Sequence, residues 1–255
     1  CPLNRTTTIL SLWRATRSQR MAAPGRRSEL SVTYRNPSLV EITQINAMNA
    51  LTFRDLGTDL DFQEVWNLQE DLVQRRRDQE IGDTILFLEH APVYTIGRTR
   101  DTSSLRAHRH LPHQVVEINR GGQGTFHGPG QLVGYAILDL TQRIKDLHLH
   151  LRNLEEAIII SLEILGIPAV RREGQTGVWV EDRKIASLGV GVRSWITLHG
   201  LALNVQKTSL APFQMITPCG IDGVAMTCIE SEINRPISME EVKKLMTESL
   251  QKIFH

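Results

Sequence analysis

The sequence predicts an α/β domain in which a mixed β-sheet is flanked by helices. Two observations carry that expectation. Apolar residues recur at helical spacing in three separate segments, and the chain around the middle one holds short β-rich runs joined by polar or Gly/Pro turns. In chain order, Phe62, Val65, Leu68, Leu72 and Val73 mark an amphipathic helix that ends in the charged run Arg75–Asp78. Thr84–Leu88 and Val93–Ile96 read as strands separated by Ala91-Pro92, and Val115–Ile118 and Leu132–Leu140 as strands on either side of a glycine-rich segment. Leu151, Leu154, Ile158, Leu162 and Leu165 give a second helix, stopped by Gly166 and Pro168. Gly177–Val180 and Lys184–Leu188 flank the polar turn Glu181-Asp182-Arg183 as a hairpin, and Leu198–Val205 is a further strand. Ser238 with Glu241 forms a capping box that opens a last helix carrying Val242, Leu245, Met246, Leu250 and Ile253. No repeat or linker interrupts this stretch, so residues 49–255 are expected to form one domain.

Composition narrows the function classes. With 41% hydrophobic and 22% charged residues, the 255-residue chain suits a globular domain and not a disordered one. Twenty-nine basic residues against 28 acidic ones leave a net charge of +1, which recruits no polyanion, so a nucleic-acid partner is not expected. The longest apolar stretch, Ala157–Ile167, is broken by Glu163 and is shorter than the roughly 20 residues of a membrane span. Three cysteines, Cys1, Cys219 and Cys228, form no CxxC pair, so a reducing compartment is the default and one reactive thiol is worth seeking. The charge is unevenly spread. Residues 1–36 hold seven arginines and one acid, Glu29, an excess of six that leaves the rest of the chain at −5. That segment is also rich in Ser and Thr and lacks the apolar core of a secretory signal. Residues 1–48 are therefore expected to be a mitochondrial transit peptide, with a disordered basic tail as the alternative and Met21 as a candidate start.

Chemistry concentrates in a few places. Arg120–Gln131 packs five glycines into twelve residues between two strands. It has neither the Gly-Lys-Ser/Thr of a phosphate loop nor a GxGxxG register. Arg120, His127 and Gln131 on that glycine frame suit a small-molecule or acyl-group site; a plain surface loop is the alternative. Cys219, in Thr217-Pro-Cys-Gly220, sits where Pro and Gly force irregular, accessible backbone, whereas Cys228 lies in an apolar run and reads as core. A nucleophilic thiol needs a cation or base nearby. Lys184, opening an apolar strand, is the candidate, with a snorkelling surface lysine equally compatible. His108, His110 and His113 lack acidic or cysteine co-ligands and stand beside Arg106 and Arg109, so no metal site is expected there. His90, His127 and His199 adjoin strand ends or glycines and are better placed for function; with a cysteine they leave a thiol hydrolase open.

Five segments in order, Arg120-Gly-Gly-Gln-Gly-Thr-Phe-His-Gly-Pro-Gly-Gln131, Gly177-Val-Trp-Val180, Lys184-Ile-Ala-Ser-Leu-Gly189, His199-Gly-Leu-Ala-Leu-Asn204 and Pro218-Cys-Gly220, together with Glu89–Gly97, resemble the lipoyl(octanoyl) transferases, also called lipoate-protein ligase B, in their animal mitochondrial form. The resemblance covers Phe53–Phe254. It implies the catalytic fold shared by lipoate-protein ligases and biotin protein ligases. It also implies transfer of an octanoyl or lipoyl group from octanoyl-acyl carrier protein to a lysine of a lipoyl-domain protein, the glycine cleavage H protein or a 2-oxoacid dehydrogenase E2 subunit. Cys219 matches the acyl-thioester cysteine and Lys184 the lysine that lowers its pKa. The residues matching the acyl pocket are Arg120, Gly121, Gly122, Gln123, Gly124, Thr125, Phe126 and His127, then Ser187, Leu188 and Gly189, then Gly200, Leu201 and Ala202. No metal or cofactor is implied, since exchanging one thioester for another is nearly isoenergetic, and a monomer is the default. Gly124 stands where family members more often carry a side chain, which is expected to loosen the loop. An ATP-dependent ligase and a non-catalytic carrier-binding protein are the rival readings; retention of both Cys219 and Lys184 favours the transferase.

Overall fold

The structure, a computed structural model, describes residues 51–98, 102–105, 111–217 and 223–254. The elements are β1 (Thr52–Asp55), α1 (Phe62–Arg77), β2 (Thr84–Leu88), β3 (Val93–Ile96), β4 (Val115–Glu117), β5 (Thr125–His127) and β6 (Gln131–Ile137), then α2 (Leu147–Ile164), β7 (Ala169–Arg172), β8 (Gln175–Val180), β9 (Arg183–Arg193), β10 (Ile196–Asn204), β11 (Ala225–Met226), α3 (Ile229–Glu232) and α4 (Met239–Phe254). The main sheet runs β1-β2-β6-β10-β9-β8-β7 with β11 added beside β9, and a small sheet runs β4-β3-β5. Parallel pairs, β1 with β2 and β11 with β9, occur among antiparallel ones, so the sheet is mixed as the sequence predicts.

Strand alternation divides the core into two layers. Ile85, Phe87, Leu132, Ala136 and Leu203 point to the side covered by α2 and α4, where they meet Leu154, Ile158, Met246 and Leu250. Their neighbours Leu86, Leu88, Val133, Tyr135 and Ile137 point to the other side and pack against Val65, Leu72 and Val73 of α1. Burial on both faces is why β2 and β6 read as unbroken apolar runs. The three long helices begin on side-chain caps: Asp61 Oδ1 accepts the Glu64 amide, Asp146 Oδ1 those of His148 and Leu149, and Ser238 Oγ that of Glu241. The α1 helix is pinned at its far end by Arg76, 1% exposed, whose Nε donates to Asp83 at 2.9 Å.

Several elements differ from expectation for local reasons. The strand expected over Leu132–Leu140 ends at Ile137, because Asp139 turns back to accept the Thr141 amide and starts a short 3-10 turn. The β9 and β10 strands are longer than their apolar cores and meet at Ser194-Trp195, both with positive φ (51° and 67°), a two-residue hairpin built without glycine. Arg183, read as turn, opens β9. The β1 strand, largely exposed, and the β7 strand, largely half-buried, are short and carry no alternation to announce them. Residues 1–48, His108 and His110 lie outside the described residues.

Candidate active site

Two glycine-bearing segments from opposite parts of the chain meet over the middle of the main sheet. The hairpin β9–β10 pairs Ser187 with Ala202, Leu188 with Leu201 and Gly189 with Gly200. Over these residues lies the Arg120–His127 segment, and between the two is a pocket. Its wall holds Arg120, Gly122, Gln123, Thr125 and His127 from one segment and Ser187–Gly189 and Gly200–Ala202 from the other. The register explains the glycines: a Cβ on Gly189 would stand 3.0 Å from Arg120 Cδ and 3.1 Å from Gly121 O. Three residues that match the family's pocket segments face elsewhere. Strand alternation turns Phe126 away from Thr125 and His127, into a cluster with Tyr94 and Phe213. Gly121 contributes backbone behind Gly189. Gly124 donates its amide to Ser104 Oγ at 3.0 Å, and a Cβ there would come within 2.6 Å of that oxygen. This glycine therefore lets Ser104 hold the loop, where a looser loop was expected.

Arg120 is 8% exposed and spends its guanidinium on the wall itself, donating to Thr95 Oγ1 at 2.8 Å and to Gly121 O at 2.9 Å. The deep end of the pocket is polar, which the sequence only hinted at. His127, Tyr135 and His199 reach it, with His90 behind Tyr135 at a ring distance of 5.8 Å. The Leu60 carbonyl can only accept, so His90 Nδ1 carries the proton and donates to it, and Nε2 accepts from Tyr135 Oη at 2.8 Å. Likewise Gln131 spends its Nε2 on Asn204 Oδ1 and Phe126 O, leaving Oε1 to accept from His127 Nδ1 at 2.8 Å. Burial holds His90 and His199 down at about 4 and His127 at about 3, the latter also through His90 and Arg120 nearby. All three imidazoles are neutral at pH 7. Burial pushes the Tyr135 hydroxyl well above its ordinary range. His199 adopts a positive φ of 61° and its amide donates to Gln69 Oε1, while Nε2 is buried without a partner among the described residues. Its position beside a glycine and at the head of the His199–Asn204 family segment marked it in the sequence, whereas Tyr135 gave no signal.

Lys184 lies three strand positions before Ser187, about 10 Å along β9. It is 1% exposed, donates from Nζ to Thr176 O at 2.8 Å and stands 5.3 Å over the Trp179 ring. A snorkelling surface lysine is thus excluded. Cys219 lies outside the described residues. Of the chain around it, the Thr217 amide donates to Ser104 O at 2.6 Å, and Met226 pairs with Lys184 in register on β9. Cys228 is fully buried against Ser231, as its apolar run predicts. Among the described residues no cluster of His, Cys, Asp or Glu could hold a metal ion, and no helix is long and apolar enough to cross a membrane.

Fold and pocket together define a catalytic domain that presents a buried lysine on the strand that continues into a cleft of mixed polar and apolar lining. Residues 61–251 match the lipoyl protein ligase A/B catalytic domain, and the chain belongs to that family. It is similar to proteins named octanoyltransferase from Geotalea uraniireducens, 46% identical over 74% of this chain and 86% of the relative, and from Geobacter sulfurreducens, 48% identical over 72% and 77%. Among solved structures it resembles a bipartite lipoate protein ligase from Thermoplasma acidophilum, with a TM-score of 0.60 and 17% identity over 81% of this chain and 84% of that one. That likeness shows the fold.

Proposed function

We propose that this chain is an octanoyltransferase that acts through a thioester on Cys219. The thiolate attacks the octanoyl thioester of an acyl carrier protein; the S–C bond to Cys219 forms as the carrier thiol leaves. The amine of a lysine on a lipoyl-domain protein then attacks, an amide forms and the Cys219 thiol is regenerated. The glycine cleavage H protein and 2-oxoacid dehydrogenase E2 subunits are the acceptors the family resemblance implies. The observation that carries this reading is Lys184, a lysine at 1% exposure on a strand that continues into the pocket wall. Lysine is almost never buried this far without a partner or a task. Its ammonium favours a thiolate, and as a neutral amine after acylation it can take the proton of the attacking lysine. In this reading the octanoyl chain occupies the pocket whose lining includes Leu188, Leu201 and Arg120.

Intact mass after mixing with octanoyl-acyl carrier protein tests the reading: one octanoyl adduct on the wild type and none on Cys219→Ala. An adduct that requires ATP would instead support the ligase. In Lys184→Met, Cys219 alkylation should shift to higher pH; an unmoved profile removes the role of Lys184. The seven arginines of residues 1–36 support a mitochondrial address, and a fluorescent fusion of residues 1–50 that stays cytosolic would refute it.

A further inference from the structure

Lys184 Nζ donates to a peptide group whose other end is held by a buried carboxylate. Glu155, on α2, is 1% exposed, and its Oε1 accepts the Gly177 amide at 2.9 Å. Gly177 N and Thr176 O belong to the same peptide bond. It is trans, so its N–H and C=O point to opposite sides. On the far side Thr176 O accepts from Lys184 Nζ at 2.8 Å. One peptide therefore bridges a carboxylate and an ammonium. An N–H engaged by an anion polarises its peptide and makes the carbonyl a better acceptor for a cation, so the two charge-assisted bonds reinforce each other. The contact also needs a glycine: at φ 137°, a Cβ on Gly177 would lie 2.4 Å from Lys184 Cε and 2.8 Å from Ala186 O.

Further charged groups among the described residues stand at this locus. Glu155 Oε2 accepts from Arg152 at 2.7 Å and from Arg171 Nε at 3.2 Å; these side chains are 48% and 32% exposed. Arg171 also holds Glu156. Arg172, bound to Asp182, stands 4.6 Å over the Trp179 ring that Lys184 also faces. On the β11 side, Glu232 accepts from Thr227 Oγ1 and from Arg183.

We propose that Glu155 is a positioning residue for Lys184: through the Thr176–Gly177 peptide its carboxylate fixes the Lys184 ammonium in place for the role proposed for it with Cys219. This rests on the role proposed for Lys184. The test is the pH profile of iodoacetamide alkylation in the full chain, mapped to Cys219 by peptide mass. Glu155→Gln keeps the shape and removes the charge, and should move the profile midpoint up by about half to one pH unit. Arg152→Gln unmasks the carboxylate and should move it down. In the Lys184→Met background, Glu155→Gln should add nothing, a readout that a merely structural role would not produce. The proposal is overturned if Glu155→Gln leaves the midpoint in place, or moves it equally with and without Lys184. If Glu155→Gln does not fold, Arg152→Gln decides: an unmoved midpoint refutes the relay. A Lys184→Met profile identical to wild type would instead remove the Lys184 role itself.

Discussion

Acidification should unfold this domain unusually early, because four histidines are buried neutral. His90, His150 and His199 are held by burial at about 4, and His127 at about 3. An unfolded histidine titrates near 6.5. The unfolded chain therefore binds more protons than the native one between these values. Stability is full above pH 6.5 and is lost as pH falls towards about 4. From pH 7 to 5.5 each site costs about 1.2 kcal/mol, so the four together cost about 5 kcal/mol, a large share of the roughly 5–15 kcal/mol that holds a domain together. Urea unfolding at pH 7 and 5.5 measures this directly. His150→Leu provides the control: neither ring nitrogen has a partner among the described residues, and the side chain lies against Phe254, outside the pocket of the candidate site. That variant should lose about 1 kcal/mol less than wild type over the same interval. A wild-type loss of only about 1 kcal/mol in total would refute the reasoning.

Three further outcomes follow from packing. Met246→Ala opens a hole among α2, α4 and the sheet at a fully buried position and should cost about 2–5 kcal/mol, read as a Tm lowered by at least about 5 °C. Gly189→Val drives a side chain into Arg120 Cδ and Gly121 O; overpacking of about 1–3 kcal/mol should raise KM for the octanoyl donor about tenfold, measured by steady-state transfer. Ser238→Ala removes the cap on the Glu241 amide and should cost about 1 kcal/mol by urea unfolding, with transfer unchanged.

The long helices and central strands were legible because their burial is periodic. Phe62 and Leu72, Leu154 and Leu162, Val242 and Leu250 lie on the faces their spacing predicts. The edge strand β1 was not legible, since Thr52–Asp55 pairs through backbone and buries little. In the site, glycine spacing marked the Arg120–His127 segment, because close approach of backbone needs glycine wherever it happens, whereas Gly200–Ala202 was marked by the family resemblance. What spacing could not give was alternation within a three-residue strand, which turns Phe126 out of the pocket, and the convergence of Tyr135, His90 and His199 from three strands or their ends. Glu155 was hidden for a different reason: at a helical position flanked by Leu154 and Glu156 it reads as solvated surface, and only the fold places it under Gly177.

The central claim is that the acyl group passes through Cys219, and a chase measures it most directly. Full-length enzyme is loaded from octanoyl-acyl carrier protein, freed of donor and handed to a lipoyl-domain protein while intact masses are followed. The account predicts that the enzyme loses one octanoyl group as the acceptor lysine gains one, and that Cys219→Ala never loads. An acceptor left unmodified beside a stable adduct, or an adduct that persists in Cys219→Ala, would contradict it.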